Sequence, residues 1–321
     1  MKALIFNNKL EKLANYAKEL GYETYHVTND NLKTGNYPKD IDIICGGMEF
    51  KLLKREQLEE FKNLKYIFLY SVGIDYMDLE FIKEKNIILC NNHGAYSEPI
   101  AEWIVYNLLQ IEKQNRKYLE QQKDHIWKRL EGTGTMYGKD ALFLGTGAIA
   151  KETLKRLKPF VKTIIGVNTT GRSVEGFDRI IKNEELGKVL PEMDYVVSFL
   201  PSTKETYKSL DREFFANMKE GSIFVNISRG TVVDEDALIE ALRSKHLKAA
   251  ALDVVFKEPL DENSELWDLE NIYISPHTSD ASEDFLERRA RTAKENLKRL
   301  KEKEELVNIV DFEKDIKNYI K

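Results

Sequence analysis

Ala-Leu-Phe-Leu-Gly-Thr-Gly-Ala-Ile-Ala, residues 141–150, is the stretch of sequence that decides the expected fold. Its first four residues are apolar and predict a short strand. Gly145 allows a sharp turn out of that strand, and Gly147 has no side chain to block the approach of a pyrophosphate to the backbone. Ala150 is the third small residue, at the place where a following helix packs on the strand. The segment therefore predicts a nucleotide-binding turn.

The surroundings of this turn complete a strand–helix–strand unit. Residues 151–158 continue as a helix with leucines on one face, Pro159 ends it, and residues 163–167 form a second apolar strand. Backbone N–H groups at the start of such a helix face an anion, and the helix dipole adds to the attraction. A glycine pattern alone is a weak signal, but this order of elements favours a bound dinucleotide over an ordinary turn.

Short apolar runs alternate with amphipathic helices on both sides of this unit. Such alternation predicts parallel sheets with helices on both faces, that is, an α/β fold with two doubly wound sheets. Ligands on sheets of this kind lie beyond the carboxyl ends of the strands. The remaining predicted strands are residues 3–6, 24–27, 41–45, 66–70, 87–90, 195–199, 223–227, 249–253 and 272–275.

Length and composition limit the class of protein. A chain of 321 residues suits two domains. The net charge of −5 argues against a nucleic-acid partner, which usually meets a basic face. No apolar run is long enough to span a bilayer. Cys45 and Cys90 each end an apolar run, so we interpret them as buried thiols in the reducing cytoplasm and expect neither a disulfide nor a metal site.

A long helix is predicted between the two sheets. Ser97 can cap its start, and Pro99 is tolerated in a first turn. Apolar residues recur at helical spacing up to Ile111, and the pattern then turns polar through residues 113–128. Two interpretations stay open: the helix bridges to a second domain and also makes a dimer contact, which would make the protein a homodimer, or it only packs in the core.

Taken together, these segments resemble the D-isomer-specific 2-hydroxyacid dehydrogenase family. The resemblance covers nearly the whole chain. It rests on segments that are specific in combination and follow in order, namely Gly94-Ala95-Tyr96-Ser97-Glu98-Pro99-Ile100-Ala101-Glu102, the glycine turn at 145–150, Asn226-Ile227-Ser228-Arg229-Gly230, Leu252-Asp253-Val254-Val255 with Glu258-Pro259-Leu260, and Ser275-Pro276-His277.

The resemblance implies a domain organisation and an activity. Residues 1–95 and 282–321 would form a flavodoxin-like substrate domain, and residues 96–281 an inserted Rossmann domain that binds the dinucleotide, with the active site in the cleft. The implied activity is that of an NAD(P)-dependent oxidoreductase. It would transfer a hydride between the cofactor and a small 2-keto or D-2-hydroxy acid of the glyoxylate, hydroxypyruvate or phosphoglycerate type.

Such a reaction needs a positive charge for the substrate carboxylate and a proton donor near the carbonyl oxygen. Arg229 follows a predicted strand and its planar fork suits a carboxylate, although an arginine at a strand end can also be a surface group. His277 ends a late strand and can act as acid or base near neutral pH; a satisfied core histidine is the plain alternative, and His93 is a second candidate. Glu258 would orient His277 and favour its protonated form, unless it is a surface glutamate.

The resemblance places further residues at the site. The backbone amides of Val72 and Gly73 match the loop that binds the substrate carboxylate, and Asp253 matches the position that holds the nicotinamide carboxamide. Pro201 corresponds to a residue lining the cofactor cleft, and Ile100 to one that packs behind the nicotinamide ring. The other residues expected to bind the cofactor are Gly145, Thr146, Gly147, Ala148, Ile149 and Ile227.

The end of the second strand, at Val167, bears on the choice of cofactor. NAD-binding units carry an acidic residue about 20 positions after the glycines, which binds the ribose hydroxyls. This chain has Asn168, Thr169, Thr170 and Arg172 there, which can donate to a phosphate. We therefore expect NADP to be preferred over NAD. In the alternative, Asn168 binds a plain ribose and Arg172 is solvated.

At two positions the residue differs from the one that relatives often carry, and two other functions remain as alternatives to a 2-hydroxyacid dehydrogenase. Tyr96 stands where relatives often carry a smaller polar residue, and Asp280 follows the histidine where they often carry glycine or alanine. One rival is a non-catalytic NAD(P)-sensing protein on the same fold; another is an enzyme with formate or phosphite as the hydride donor. The presence of Arg229, Glu258 and His277 together favours catalysis over sensing.

Overall fold

The computed structural model describes residues 1–6, 9–74 and 76–312. Its internal contacts divide the chain into two compact units. Unit 1 comprises Met1–Ala95 with Ser282–Lys321, and unit 2 comprises Tyr96–Ala281. Residues 313–321 of the predicted C-terminal segment lie outside the described residues.

Strands and helices alternate along both units. The strands are β1 (Lys2–Phe6), β2 (Glu23–Val27), β3 (Ile43–Gly46), β4 (Tyr66–Leu69), β5 (Ile88–Cys90), β6 (Asp140–Leu144), β7 (Thr163–Val167), β8 (Arg179–Ile181), β9 (Tyr195–Ser198), β10 (Ile223–Asn226), β11 (Ala249–Leu252) and β12 (Ile272–Ile274). The α-helices are α1 (Glu11–Glu19), α2 (Asn29–Thr34), α3 (Arg55–Glu59), α4 (Leu79–Glu84), α5 (Ser97–Glu112), α6 (Asn115–Lys123), α7 (Ala148–Leu157), α8 (Leu186–Val189), α9 (Arg212–Asn217), α10 (Glu235–Arg243) and α11 (Phe285–Glu302).

The sheet of unit 1 is parallel and has the strand order β2-β1-β3-β4-β5. This is the order of flavodoxin-like sheets. Both faces are buried, because alternate side chains of β1 enter different core clusters: Leu4 and Phe6 belong to one, Ala3 and Ile5 to the other. A continuous apolar run such as Ala3–Phe6 is what a strand buried on both faces requires.

The sheet of unit 2 is also parallel and has the order β12-β11-β10-β9-β6-β7-β8. β6 lies between β7 and β9, so the chain leaves β6 in one direction and returns on its other side. The loops after β6 and β9 diverge at such a switch point and leave a crevice for a ligand. α7 follows β6 and buries Ala150 and Leu157 completely, as expected for a helix packed tightly on its strand.

These two sheets confirm the predicted fold class. The observed strands agree with the predicted ones to within two residues at either end. The sequence patterns did not predict β8, whose only buried residue is Ile181. Three residues with one buried side chain show too little alternation to be recognised as a strand.

The start of the long helix differs from its prediction. The prediction that Ser97 caps it is wrong: Tyr96 occupies the N-cap position, and within the described residues the Ser97 hydroxyl is buried without a hydrogen-bond partner. Its other end lies where the apolar repeat stops. α5 ends at Glu112, and Gln114 adopts a left-handed conformation with φ +53 before α6 begins.

Both cysteines are free and buried in unit 1. Burial raises the pKa of the Cys90 thiol to about 12 and also raises the pKa of Cys45, so both are protonated at neutral pH. In the part of the chain that the structure describes, no helix combines the length and the apolarity needed to cross a bilayer.

Candidate active site

The glycine turn joins β6 to α7 at the carboxyl end of the sheet in unit 2. Gly145 has φ +111, and a Cβ there would come within 3.2 Å of the Cβ of Phe199. At Gly147, by contrast, an added Cβ would meet none of the described protein atoms within 4 Å. Packing within the protein therefore does not require glycine at 147, whereas a pyrophosphate lying against the backbone does.

The start of α7 is open to an anion. Gly147 is its N-cap residue, and in the described part of the chain no side chain caps the first N–H groups. Those groups lie in Ala148, Ile149 and Ala150, next to Thr146. Uncapped N–H groups and the positive end of the helix dipole together stabilise a negative group. These residues therefore fit the pyrophosphate of a dinucleotide.

Asn168 organises the loop that follows β7. Its Nδ2 donates to the carbonyl oxygen of Arg172 at 3.0 Å, and its Oδ1 accepts from the N–H of Thr170 at 3.2 Å. The N–H of Arg172 in turn donates to the hydroxyl of Thr170 at 3.3 Å. The side chains of Thr169, Thr170 and Arg172 are exposed. The loop is therefore folded by its own polar groups and presents hydroxyl and guanidinium donors outward.

The other predicted cofactor residues also lie in unit 2. Ile227 directly follows β10 and is buried. Pro201 follows β9 on an exposed loop, where its carbonyl oxygen accepts from the hydroxyl of Thr206 at 2.6 Å. Ile100 is buried in the first turns of α5. Pro201 and Ile227 thus stand at carboxyl ends of adjacent strands, on the same edge of the sheet as the glycine turn.

Arg229 stands on a short turn after β10. Its Nη1 donates to the carbonyl oxygen of Ser228 at 2.9 Å. The next residue, Gly230, lies against another loop: a Cβ there would be 1.8 Å from the carbonyl oxygen of Val255 and 2.5 Å from the backbone nitrogen of Phe256. Only glycine permits this approach, so the turn with Arg229 and the loop that leads to Glu258 are in direct contact.

His277 and Glu258 form a hydrogen-bonded pair. His277 Nδ1 lies 2.8 Å from Glu258 Oε2, although the two residues are 19 positions apart in sequence. Because Nδ1 is bonded to the carboxylate, Nε2 is the ring nitrogen left to exchange a proton with another group. Glu258 is itself held by the N–H of Val255, which donates to Oε1 at 3.4 Å.

The two pKa shifts of this pair have a common cause. The hydrogen bond to Glu258 raises the pKa of His277, against the opposing effects of burial and of the Arg229 charge. Burial alone would raise the pKa of Glu258, but the hydrogen bond and charge of His277 lower it below its usual value, and Arg229 adds to that effect. The imidazolium is thus stabilised, and the charge of Arg229 acts on both groups.

A buried carboxylate holds the loop that carries His277. Asp253 is 1 % exposed, and its Oδ1 accepts from the hydroxyl of Ser275 at 2.5 Å and the N–H of Thr278 at 2.8 Å. Its Oδ2 accepts from the N–H of Ser279 at 3.0 Å, and its carbonyl oxygen accepts from the N–H of His277 at 2.8 Å. His277 has φ +54, a left-handed conformation that costs energy in a residue other than glycine. These bonds hold that conformation in place.

The predicted carboxylate-binding loop belongs to unit 1. Val72 and Gly73 follow β4, and the carbonyl oxygen of Val72 accepts from Nδ2 of Asn91 at 3.0 Å. The hydroxyl of Ser71 donates to the carbonyl oxygen of Gly73 at 2.9 Å and lies 2.6 Å from the hydroxyl of Tyr76. Within the described residues, the N–H groups of Val72 and Gly73 donate to no protein acceptor. A loop braced through its carbonyls with free N–H groups suits an anion.

Three residues flagged in the sequence occupy other positions. His93 is exposed after β5 in unit 1, so it lies in a different unit from Arg229. Tyr96 is buried at the start of α5, and Asp280 is partly buried after the His277 loop.

Sequence reasoning missed the polar groups beneath the site. Asn226 is 1 % exposed and bonds to the turn of Arg229, and Gly230 makes the close approach described above. Asn226 had a visible signal, because a polar side chain ended an otherwise apolar strand directly before the predicted arginine. No signal in the sequence marked the contact of Gly230, because this contact joins segments 25 residues apart.

Comparison with known proteins gives consistent matches. A family model described as D-isomer specific 2-hydroxyacid dehydrogenase, NAD binding domain, matches residues 105–279. A glyoxylate reductase of Thermofilum pendens is 32% identical over 251 residues, 75% of this chain and 73% of that protein. A D-3-phosphoglycerate dehydrogenase of Methanocaldococcus jannaschii is 30% identical over 276 residues, 85% of this chain but 52% of that protein. The crystal structure of a D-isomer specific 2-hydroxyacid dehydrogenase family protein from Aeromonas salmonicida has a TM-score of 0.83 at 28% identity and covers 97% of this chain and 99% of its own.

Proposed function

The chain belongs to the D-isomer specific 2-hydroxyacid dehydrogenase family and is an NAD(P)-dependent oxidoreductase, and from this premise we propose that it reduces small 2-keto acids of the glyoxylate or hydroxypyruvate type to D-2-hydroxy acids. The observation that carries the proposal is the His277–Glu258 pair at 2.8 Å, with the charge of Arg229 acting on both groups. A cation for a carboxylate beside a stabilised imidazolium is the arrangement that reduction of a 2-keto acid needs.

Each residue has one task in this mechanism. When bound, the dinucleotide supplies the hydride that adds to C2 of the keto acid. The guanidinium of Arg229 binds the substrate carboxylate. His277 gives the proton on Nε2 to the carbonyl oxygen as negative charge develops there, which yields the hydroxyl group and neutral imidazole. Glu258 keeps His277 oriented and protonated before the transfer.

The experiment is a panel of 2-keto acids, with loss of reduced-cofactor absorbance as the measurement. Glyoxylate and hydroxypyruvate should be reduced with the highest kcat/KM, and the His277→Ala variant should be nearly inactive on both. Formate and phosphite should not reduce the oxidised cofactor. A protein that binds the cofactor but turns over none of these acids would contradict the proposal and support the sensing alternative.

We also infer a preference for NADP over NAD. The support is the loop after β7, which presents Thr169, Thr170 and Arg172 outward and has Asn168 where a carboxylate would bind ribose hydroxyls. A 2′-phosphate would accept from the guanidinium and hydroxyls, whereas a carboxylate there would repel it.

Steady-state kinetics with each cofactor test this preference. The kcat/KM should be higher with NADPH than with NADH, and Arg172→Ala should lower the NADPH value about tenfold while changing the NADH value little. Arg179→Ala is the matched control, because Arg179 is a nearby exposed arginine that already pairs with Glu185 at 3.0 Å. Higher kcat/KM with NADH in the unmodified protein would contradict the inference.

We further propose that the protein is a homodimer and that a second copy covers the segment 118–137. This segment of unit 2 exposes several large apolar side chains, and Trp127 is fully exposed. Apolar side chains gathered in this way usually mark a protein contact.

Light scattering tests the proposed dimer and should give the mass of two chains. Trp127→Ser should shift the measured mass towards one chain. Trp267→Ser is the control and should not shift it, because Trp267 is an exposed tryptophan elsewhere in unit 2. A monomeric mass for the unmodified protein would contradict this proposal.

A further inference from the structure

We propose that Asn226 is a positioning residue for Arg229, fixing the turn from which the guanidinium reaches the keto-acid carboxylate. The inference rests on the proposed role of Arg229 in binding that carboxylate. Asn226 ends β10 and is separated from Arg229 by Ile227 and Ser228. Its side chain lies beneath the turn, so it acts on the substrate only through its neighbour.

Both the oxygen and the nitrogen of the Asn226 side-chain amide form hydrogen bonds within this turn. Oδ1 accepts from the N–H of Ser228 at 3.1 Å and from its hydroxyl at 2.7 Å. Nδ2 donates to the carbonyl oxygen of Arg229 at 3.1 Å. One side chain therefore fixes the backbone on both sides of the peptide that joins Ser228 to Arg229.

Burial makes these bonds hard to replace. Asn226 is 1 % exposed, Ser228 is 7 % exposed and Ser198, at the end of the adjacent strand β9, is fully buried. The hydroxyls of Ser198 and Ser228 lie 3.1 Å apart, which extends the network into the sheet. Water cannot readily take over a bond that is lost here, so each partner would be left unsatisfied.

The same turn determines where the guanidinium points. Nη1 of Arg229 donates to the carbonyl oxygen of Ser228, so a rotation of that peptide would move both the Cα of Arg229 and the acceptor that holds its side chain. Gly230 prevents the turn from shifting far on its other side, because it already touches Val255. The amide of Asn226 is therefore the group whose loss would release the turn.

Asn226→Asp is the most informative variant. It is nearly isosteric and still accepts from Ser228, but at neutral pH a carboxylate cannot donate to the Arg229 carbonyl oxygen and would repel it. The KM for the keto acid should rise at least about tenfold, because a displaced binding group costs affinity steeply. The Kd for the reduced cofactor should not change. Protonation of the new carboxyl restores a donor, so the ratio of variant to wild-type KM should fall as pH is lowered.

Matched variants separate this role from a general contribution to folding. Asn226→Ala should raise the keto-acid KM whether or not it lowers Tm, because KM does not depend on the fraction of active enzyme. Ser228→Ala removes one hydroxyl but keeps the hydrogen bond from Asn226 Nδ2 to the carbonyl oxygen of Arg229. The keto-acid KM of this variant should therefore change less than about threefold.

Arg229→Ala tells the two possible failures apart. If Arg229→Ala raises the keto-acid KM while both Asn226 variants keep the wild-type value at every pH, the positioning role is wrong and the proposed role of Arg229 stands. If Arg229→Ala leaves the KM unchanged, the proposed role of Arg229 itself is wrong, and the inference falls with it.

Discussion

The sheet of unit 2 carries an ionic cluster at each end, and the two differ in exposure and in what they contact. At the amino end, Glu112 is bonded by the ammonium groups of Lys139 and Lys248, which immediately precede β6 and β11. At the carboxyl end, His277 is bonded to Glu258. The Glu112 side chain is 0% exposed, whereas the side chains of His277 and Glu258 are 50% and 39% exposed.

Because of this difference, the Glu112 cluster can stabilise the fold, whereas the His277–Glu258 pair can take part in a reaction. Burial alone would raise the pKa of Glu112, but hydrogen bonds from Lys139, Lys248 and Tyr195 lower it, so the carboxylate stays charged and fully engaged. The His277–Glu258 pair keeps one ring nitrogen available and remains accessible. In parallel α/β sheets the carboxyl end carries the ligand, so the amino end is free to serve stability.

The largest effect should come from His277→Asn. Asparagine tolerates the left-handed backbone at φ +54 better than alanine does, so the variant removes the acid without straining the loop. We expect kcat to fall about 10²- to 10⁴-fold with Tm nearly unchanged. His125→Asn is the control, since His125 is exposed and has φ +56. Near-normal turnover by His277→Asn would remove the contrast between the two clusters.

Glu112→Gln should have the opposite signature. It leaves two lysines without their shared carboxylate, so we expect the free energy of unfolding to fall by about 3 kcal/mol at neutral pH while kcat/KM of the folded enzyme stays the same. Because the folded pKa of Glu112 is lowered, the stabilisation is present above the usual carboxyl pKa and is lost as pH falls through the folded value. Denaturant unfolding of both proteins across acidic pH measures this. Glu102→Gln, at an exposed pair with Arg156, is the control.

Glu258→Gln should alter the pH dependence of keto-acid reduction. Without the carboxylate, the pKa of His277 falls, so the protonated acid persists only to lower pH. The basic limb of the kcat/KM profile should therefore move to lower pH, together with a fall in rate at neutral pH. A profile that does not move would show that the pair does not set the titration of the acid.

The smallest effect should come from Tyr195→Phe. The Tyr195 hydroxyl donates to Glu112 Oε1 at 2.7 Å, but that carboxylate keeps both lysines. We expect the free energy of unfolding to fall by about 1 kcal/mol and turnover to stay the same. If activity fell by more than the fraction of folded protein does, the Glu112 cluster would affect the active site as well as stability.

Local patterns determined most of the fold in advance. The glycine turn and the alternating apolar runs predicted both sheets, because a buried parallel strand needs a continuous apolar run. The partners of Glu112, the last residue of α5, were not predictable in this way. Glu112 is held by residues 27 and 136 positions further along the chain, and no local pattern records such partners.

The candidate site was likewise predictable only in part. Residue types at strand ends predicted Arg229 and His277 at the carboxyl edge, and the family resemblance implied Glu258 beside the histidine. The structure bonds His277 to Glu258, and the charge of Arg229 acts on both. The groups that hold them, Asp253 and Asn226, act through backbone atoms of turns whose geometry a sequence does not reveal.

The approach of Gly230 to Val255 has a consequence for protein engineering. Since the arginine turn touches the loop that leads to Glu258, a library that diversifies one of them independently of the other will mostly yield variants that cannot close this contact. Recombination between homologues should succeed when both segments come from the same parent, and transplanting the site into a new scaffold requires both as a single module.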